Sequence, residues 1–223
     1  MKKDLLFSFL KGILAGLAIG VGGFLYMLMV YLLPNELGKV LGSLVFAVGL
    51  FTVCSLSLSL YTGKIGLVYE NKQNKTFYFS LPIMLIGNAI GAISLGYVCY
   101  FVLKNTDFFT TVLNTANSRL TFNNFYDFLS CAVKSLLCGV CVYLAVKSFA
   151  YKKISVIGTL LLVFFVFVFV YSGFQHCIAN MFYFSIANRW CLEAFYNMLL
   201  CILFNSLGPV FGVLLVKAVT SKK

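Results

Sequence analysis

The sequence predicts an all-α integral membrane protein with six transmembrane helices in a single domain covering residues 1–223. Composition is the first reason: 61% of the residues are hydrophobic and 10% are charged, with a mean hydropathy of +0.98. Soluble domains contain about 25% charged residues. The second reason is that apolar runs close to the roughly 20 residues of a membrane-spanning helix recur along the chain. The third is that polar residues interrupt two of these runs.

The first half of the chain contains three predicted crossings, at residues 9–33, 37–60 and 77–103. Gly12, Gly16 and Gly20 form a stripe of small residues in the first crossing, which predicts close packing against a neighbouring helix. The second crossing runs into Tyr61–Gly66, where two glycines and Lys64 indicate a broken helix or a re-entrant loop. Irregular backbone is tolerated at membrane depth only inside protein or along a water-filled cavity.

The second half begins with the long polar connection 104–127, which contains Arg119 and has room for a short helix. Three further crossings are predicted at residues 128–150, 154–187 and 194–219. The number of crossings is even, so both termini lie on one side of the membrane.

The fifth crossing is interrupted by a polar segment that contains His176, the only histidine in the protein. The apolar runs on either side, residues 160–170 and 181–187, are each too short to cross a bilayer alone. An ionisable group at membrane depth is costly and therefore indicates a functional site. The alternative is a histidine that only hydrogen-bonds a neighbouring helix.

Short motifs recur in the same order in both halves, which predicts repeats over about 9–103 and 128–219. The matched pairs are Tyr61-Thr62-Gly63 with Tyr171-Ser172-Gly173, Asn88-x-x-Gly91 with Asn205-x-x-Gly208, and Leu14-Ala15-Gly16 with Leu137-Cys138-Gly139. Three crossings per half give the repeats opposite orientations. Inverted repeats with paired broken helices point to a transport site at mid-membrane.

Basic residues orient the predicted crossings. Eleven lysines fall at the termini and in the loops after crossings two and four, whereas four basic residues fall on the other side. The positive-inside rule then places both termini in the cytoplasm. The net charge of +11 is therefore attributed to loops facing anionic lipid rather than to nucleic-acid binding. No cleavage site follows the first apolar run, so no removable signal peptide is expected.

The cysteines and the single histidine argue against an enzyme. The eight cysteines lie mostly in apolar runs and are interpreted as small buried hydrophobes, not as disulfides or metal ligands. Cys138 and Cys141 have a redox-like spacing, but they lie in an apolar helix. A haem or redox subunit needs paired histidines or an intramembrane carboxylate cluster, and the sequence offers neither. We expect no cofactor and no metal.

Five stretches together resemble the formate/nitrite transporter family over nearly the whole chain. They are Lys11–Gly16 with Gly22-Gly23, Leu60–Gly63, Gly87–Gly91, Leu136–Val146 and Gly173–Phe182. The last is the most specific, because the family signature reads close to G-F-E-H-S-I-A-N-M-F. The resemblance implies an aquaporin-like protomer in the cytoplasmic membrane, assembled as a homopentamer, with a pore between broken helices two and five. It implies small monovalent weak-acid anions as substrates: formate, nitrite, hydrosulfide, acetate or lactate.

The chain departs from the family pattern at several positions. Lys64 follows Thr62-Gly63 where relatives usually have Asn, Gly139 replaces Asn, Pro209 replaces Gly, and Gln175 replaces a common acidic residue. Asn123 occupies the slot of the outer-vestibule lysine that the family commonly supplies. Either Arg119 or Lys134 is a candidate for that missing cation.

The family pattern and simple physics together assign candidate site residues. A bare anion in a narrow apolar pore loses much of its hydration energy, whereas the neutral acid loses far less. His176 is the expected proton donor or relay, because an unperturbed imidazole titrates at about pH 6.5. The resemblance places Thr62 against the imidazole and Lys64 in the inner part of the pathway. The alternative function is an aquaporin-like channel for small neutral solutes.

Other candidate residues have structural alternatives. Asn180 and Asn205 are expected to satisfy backbone groups freed by the helix breaks, or else to brace the helices. Counting from the motifs places four residues where relatives build apolar constrictions, although ordinary helix packing would explain them as well. These are Phe46, Leu50, Leu60 and Phe169.

Overall fold

The structure is a computed structural model that describes residues 2–70, 75–151 and 155–220. All regular elements in these ranges are helices. They are α1 (Lys2–Leu32), α2 (Glu36–Ser55), α3 (Tyr61–Lys64), α4 (Gly66–Glu70), α5 (Lys75–Leu103), α6 (Phe108–Asn117), α7 (Phe125–Tyr151), α8 (Val156–Tyr171), α9 (Cys177–Ile186) and α10 (Leu192–Thr220).

Among the described residues, five helices are long and apolar enough to cross a membrane: α1, α2, α5, α7 and α10. Helices α8 and α9 are also apolar but have only 16 and 10 residues. The chain is therefore a multi-pass membrane protein, as the composition predicted. The connection 104–127 contains the short helix that its length allowed, α6, which packs against α1 and α9.

The glycine stripe of α1 packs directly against α5, which confirms the predicted close contact. A Cβ atom added to Gly16 would lie 2.1 Å from the carbonyl oxygen of Asn88, and one added to Gly91 would lie 2.1 Å from that of Ile13. Real side chains never approach that closely, so only glycine permits this spacing of the two backbones.

Helices α7 and α10 make an equivalent contact. A Cβ on Gly139 would lie 2.6 Å from the carbonyl oxygen of Asn205, and one on Gly208 would lie 2.4 Å from that of Leu136. Gly139, which departs from the family's Asn, is thus required by the close approach of α10.

We expect Gly139→Ala to destabilise the protein by about 1–3 kcal/mol, the usual effect of overpacking a tight interior. Gly63→Ala is the matched control, because the added methyl would meet a valine side chain at 3.3 Å instead of backbone. Thermal unfolding in detergent measures both variants. Equal stability of Gly139→Ala and the original protein would contradict the close packing of α7 on α10.

Two non-helical segments interrupt the predicted second and fifth crossings: residues 56–60 between α2 and α3, and residues 172–176 between α8 and α9. In each segment one residue has a positive φ, Ser57 at 50° and Gly173 at 66°. The prediction for the second segment is therefore confirmed. The prediction for the first was wrong in position: Tyr61–Lys64 is helical, and the break precedes it.

The positions of the two breaks also correct the predicted motif pairing. Ser57 corresponds to Gly173 by its positive φ, and Leu60 corresponds to His176 because each is the N-cap residue of the following helix. Tyr61 therefore corresponds to Cys177, not to Tyr171 as the motif match predicted. The other two motif pairs agree with the glycine contacts described above.

Candidate functional site

Asn88 of α5 holds the first break in place. Its Oδ1 accepts the backbone N–H of Tyr61 at 2.8 Å, and its Nδ2 donates to the carbonyl oxygens of Gly12 and Ser59, each at 2.8 Å. The side chain is fully buried. One amide thus binds two backbone groups of the break, those of Ser59 and Tyr61, and ties them to the backbone of α1 at Gly12.

Asn205 of α10 does the same at the second break. Its Oδ1 accepts the N–H of Cys177 at 2.9 Å, and its Nδ2 donates to the carbonyls of Ser135 at 2.7 Å and Gln175 at 2.9 Å. The backbone role expected for Asn205 is confirmed. The equal role of Asn88 was missed, although the shared Asn-x-x-Gly motif was the signal for it.

His176 lies at the start of α9 with both ring nitrogens engaged. Nδ1 accepts the backbone N–H of Ala179 at 3.2 Å, and Nε2 is 2.9 Å from the Thr62 Oγ1. Both side chains are buried. A neutral imidazole that makes both contacts carries its proton on Nε2 and donates it to Thr62. The expected pairing of His176 with Thr62 is therefore present.

Aromatic rings close the space on one side of His176. The Phe169 ring stacks on the imidazole with centroids 6.0 Å apart, and the Phe46 ring meets Phe169 edge-on at 5.7 Å. The cavity that these three side chains line has a volume of only about 10 Å³. Leu50, one turn further along α2, is buried but is not among the residues lining this cavity.

Arg119 lies beyond this aromatic pair, in the segment after α6. It lines both the narrow cavity and a wide one of about 440 Å³ between the ends of α1, α2 and α6. Its Nε donates to the Asn180 Oδ1 at 3.0 Å, and its guanidinium lies 4.3 Å from the centroid of the Tyr183 ring. Of the two candidate cations, Arg119 is the one that reaches the cavity containing His176.

The contacts of Asn180 correspond to the second of its two expected roles, that of bracing neighbouring segments. Besides accepting from Arg119, it donates through Nδ2 to the Gln175 Oε1 at 2.7 Å and to the Asn197 Oδ1 at 2.8 Å. These partners are side chains, not freed backbone carbonyls. Asn180 therefore positions Arg119 and links it to a buried amide cluster, because α9 is already capped by His176 and Asn205.

A second wide cavity, of about 450 Å³, is lined by Gly63, the residue that follows Thr62. Lys64 and Leu60 line it, together with apolar side chains of α2 and α7 such as Val53 and Phe149. Leu60, two residues before Thr62 in the chain, is almost fully buried. The His176–Thr62 pair is thus flanked by two cavities, one lined by Arg119 and the other by Lys64.

The cysteines form no further centre among the described residues. All eight cysteines are free thiols. Within the described ranges, no group of three or more His, Cys, Asp or Glu side chains has the arrangement of a metal site.

Comparisons with known proteins agree with this geometry. The family model described as formate/nitrite transporter matches residues 1–221. The chain is 27% identical to the formate channel FocA of Haemophilus influenzae over 78% of its own length and 64% of that protein. It is 25% identical to the formate channel FocB of Escherichia coli over 81% of its length and 67% of that protein. The chain therefore spans less than two thirds of the length of FocA.

Two solved structures have the same fold. A pentameric formate channel with formate bound superposes with a TM-score of 0.83, covering 100% of both chains at 24% identity. An FNT family ion channel superposes with a TM-score of 0.82 over 98% of this chain and 92% of that one, at 21% identity.

Proposed function

The chain belongs to the formate/nitrite transporter family, and we propose that it is a channel for small monovalent weak-acid anions of the formate, nitrite or hydrosulfide class. The observation that most supports this function is the buried His176–Thr62 pair between two cation-lined cavities. The named relatives are formate channels, not enzymes. Movement of the substrate would be linked to a proton at His176.

The proposal includes the architecture. Six crossings would form two inverted repeats, 9–103 and 128–219, with α8 and α9 together making the fifth. The equivalent hydrogen bonds of Asn88 and Asn205 support this arrangement, as do the glycine contacts at the α1–α5 and α7–α10 interfaces. The distribution of lysines supports a cytoplasmic membrane location with both termini in the cytoplasm.

Attraction of the anion is the first step of the proposed mechanism. Arg119 on one side and Lys64 on the other raise the local concentration of anions at the two ends of the constriction. The apolar constriction of Phe46, Phe169 and Leu60 then opposes passage of a charged species, because little can replace its lost hydration.

Proton delivery is the second step. An arriving anion favours an imidazolium at His176, and the ring can bind a second proton only if Nδ1 releases the N–H of Ala179. Transfer of a proton from Nε2 to the anion, directly or through the Thr62 hydroxyl, gives the neutral acid and a neutral ring. This ring keeps its remaining proton on Nδ1, so the bond from Ala179 forms again only after that proton leaves Nδ1 and a proton from water binds Nε2. Protonation of Nδ1 thus breaks the hydrogen bond that caps α9, and loss of that proton allows the cap to form again.

Uptake into proteoliposomes tests the proposed function. Formate, nitrite, hydrosulfide and lactate should enter vesicles containing the protein, with uptake rising as external pH falls. A channel for neutral solutes would instead pass water or ammonia and show no proton-linked anion uptake, which would overturn the proposal.

Assembly as a homopentamer is part of the proposal, supported by the pentameric solved relative and by the glycine-rich α1. Native mass spectrometry of the protein in detergent should give a mass five times that of the chain. A stable monomer would contradict it.

We expect Lys64→Asn to reduce uptake more at low than at high ionic strength. Lys64 lines an open cavity, and salt screens the field of an exposed charge within about 10 Å at 0.1 M. Initial rates of formate uptake at two salt concentrations measure the effect, and Lys64→Arg should keep the original behaviour. An equal loss at both salt concentrations would indicate a structural role.

A further inference from the structure

A separate polar cavity of about 220 Å³ lies beside the outer end of the proposed pathway, between the first turns of α7 and the break at residues 172–176. His176 does not line it. Helix α7 and the break, which form the two walls of the cavity, are in contact: the backbone N–H of Gln175 donates to the carbonyl oxygen of Lys134 at 3.4 Å. Its charged and polar lining includes Arg119, Asp127, Ser130, Lys134, Gln175 and Asn197.

The groups available in this cavity are mainly donors. Within the described part of the chain, the Lys134 ammonium makes no hydrogen bond or ion pair, although it lines the cavity. The Gln175 Oε1 accepts from Asn180 and Asn197, which leaves the amide nitrogen of Gln175 as a donor without a partner among the described residues. Arg119 adds a guanidinium at the same cavity.

The only carboxylate that lines the cavity among the described residues is already engaged. The Asp127 Oδ2 accepts the backbone N–H groups of Asn123 at 2.7 Å and Asn124 at 3.3 Å. Two cations therefore face one carboxylate that is committed to the loop before α7. The cavity has an excess of positive charge and of unpaired donors.

We propose that this cavity is an accessory binding site for a small monovalent oxyanion, held by Lys134, Arg119 and the amide of Gln175. A volume of about 220 Å³ corresponds to roughly seven water molecules at about 30 Å³ each, which suits an ion such as nitrate with some hydration and excludes bulky organic anions. Planar oxyanions match the planar donor groups of guanidinium and amide.

Arg119 connects the accessory cavity to the proposed substrate pathway, because it lines both. The same guanidinium lines the accessory cavity and the narrow cavity that contains His176. An anion bound beside Lys134 lowers the positive potential that Arg119 presents to an entering substrate. Occupancy therefore reduces the rate of substrate entry, a consequence that rests on the proposed channel function, whereas binding itself does not.

Binding is tested first, on the purified protein in detergent, by thermal unfolding in nitrate against gluconate at equal ionic strength. Nitrate should raise the unfolding temperature of the original protein and of Lys134→Arg. In Lys134→Gln the half-saturating nitrate concentration should rise about ten-fold, since one charged hydrogen bond is lost. Lys104→Gln is the control, because Lys104 is exposed beside Tyr100 and away from the cavity. No shift in the original protein, or equal shifts in both glutamine variants, would overturn the site.

The effect on flux is then measured in proteoliposomes. External nitrate should slow formate uptake by the original protein, and about ten-fold more nitrate should be needed in Lys134→Gln, with each variant compared with its own uptake in the absence of nitrate. Inhibition at the same nitrate concentration in both would show that nitrate acts in the pore and would overturn the proposal. If the original protein takes up no formate at all, the channel function fails while the unfolding data still decide the binding site.

Discussion

Replacement of His176 by phenylalanine is expected to lower proton-linked formate uptake by at least about 100-fold, the usual contribution of a positioned proton donor. Phenylalanine fills the space against Phe169 but has no titratable group. It also removes the acceptor for the Ala179 N–H, which weakens the start of α9 by about 1 kcal/mol. Loss of activity in this variant therefore has two causes that must be separated.

The variant His176→Asn separates them. Asparagine is among the best N-cap residues, so its side-chain oxygen can accept the N–H of Ala179 in place of Nδ1. It has no group that titrates near neutral pH. We therefore expect normal stability and assembly in His176→Asn together with loss of the proton linked to the substrate. Formate flux and internal pH, recorded in the same vesicles, measure the two quantities.

Thr62→Val is the companion variant, because it keeps the imidazole and removes only the partner of Nε2. We expect an intermediate loss, since the ring still titrates but is less well oriented. If both His176 variants move formate and protons together at the original rate, His176 is a packing residue and the proposed proton step is wrong.

Those parts of the fold that depend on local composition were predictable from the sequence. A run of about 20 apolar residues has few alternatives to a membrane helix, because every backbone polar group in lipid must be satisfied within the segment. The break before α9 was predictable because Gly173, Gln175 and His176 interrupt an apolar run. The glycines of α1 likewise predicted a close contact with a neighbouring helix.

The first break was misplaced because its signal is not local. Residues 56–60 alternate leucine and serine, a pattern compatible with helix, and the chain leaves helical conformation where Asn88 can accept the N–H of Tyr61. That contact joins residues 27 positions apart. Tyr61–Gly66, chosen for its two glycines, is helical except for the turn at Ile65. The motif pairing was wrong because it relied on the same segment.

The outer cation could not be chosen from the sequence for a similar reason. Arg119 and Lys134 were equivalent as charges, and only the fold brings Arg119 to Asn180, 61 positions away. The sequence left Asn180 with two alternative roles, and the fold favours bracing because Asn205 and His176 already bind backbone groups at this break. Tertiary contacts decide such assignments.

Replacement of Asn205 by leucine is expected to have the largest effect on stability. It would remove the partner of the Cys177 N–H and of the Gln175 carbonyl at the break, whereas the Ser135 carbonyl keeps its partner within α7. Each unsatisfied group costs about 1–3 kcal/mol, so the two together cost roughly 2–6 kcal/mol. Asn88→Leu should cost a similar amount, because its amide makes the corresponding three bonds at the first break.

Asn205→Asp refines this expectation. The carboxylate still accepts the N–H of Cys177 but cannot donate, so it faces the two carbonyl oxygens that Nδ2 now serves. We expect it to be no more stable than Asn205→Leu, because a buried charge adds its own desolvation cost. Asn117→Leu, at the exposed end of α6, is the control for the change from asparagine to leucine.

Thermal unfolding in detergent compares the variants, and formate uptake should fall with the fraction folded. If Asn205→Leu unfolds at the same temperature as Asn117→Leu, the two asparagines do not hold the breaks, and the equivalence of the two halves loses its main support.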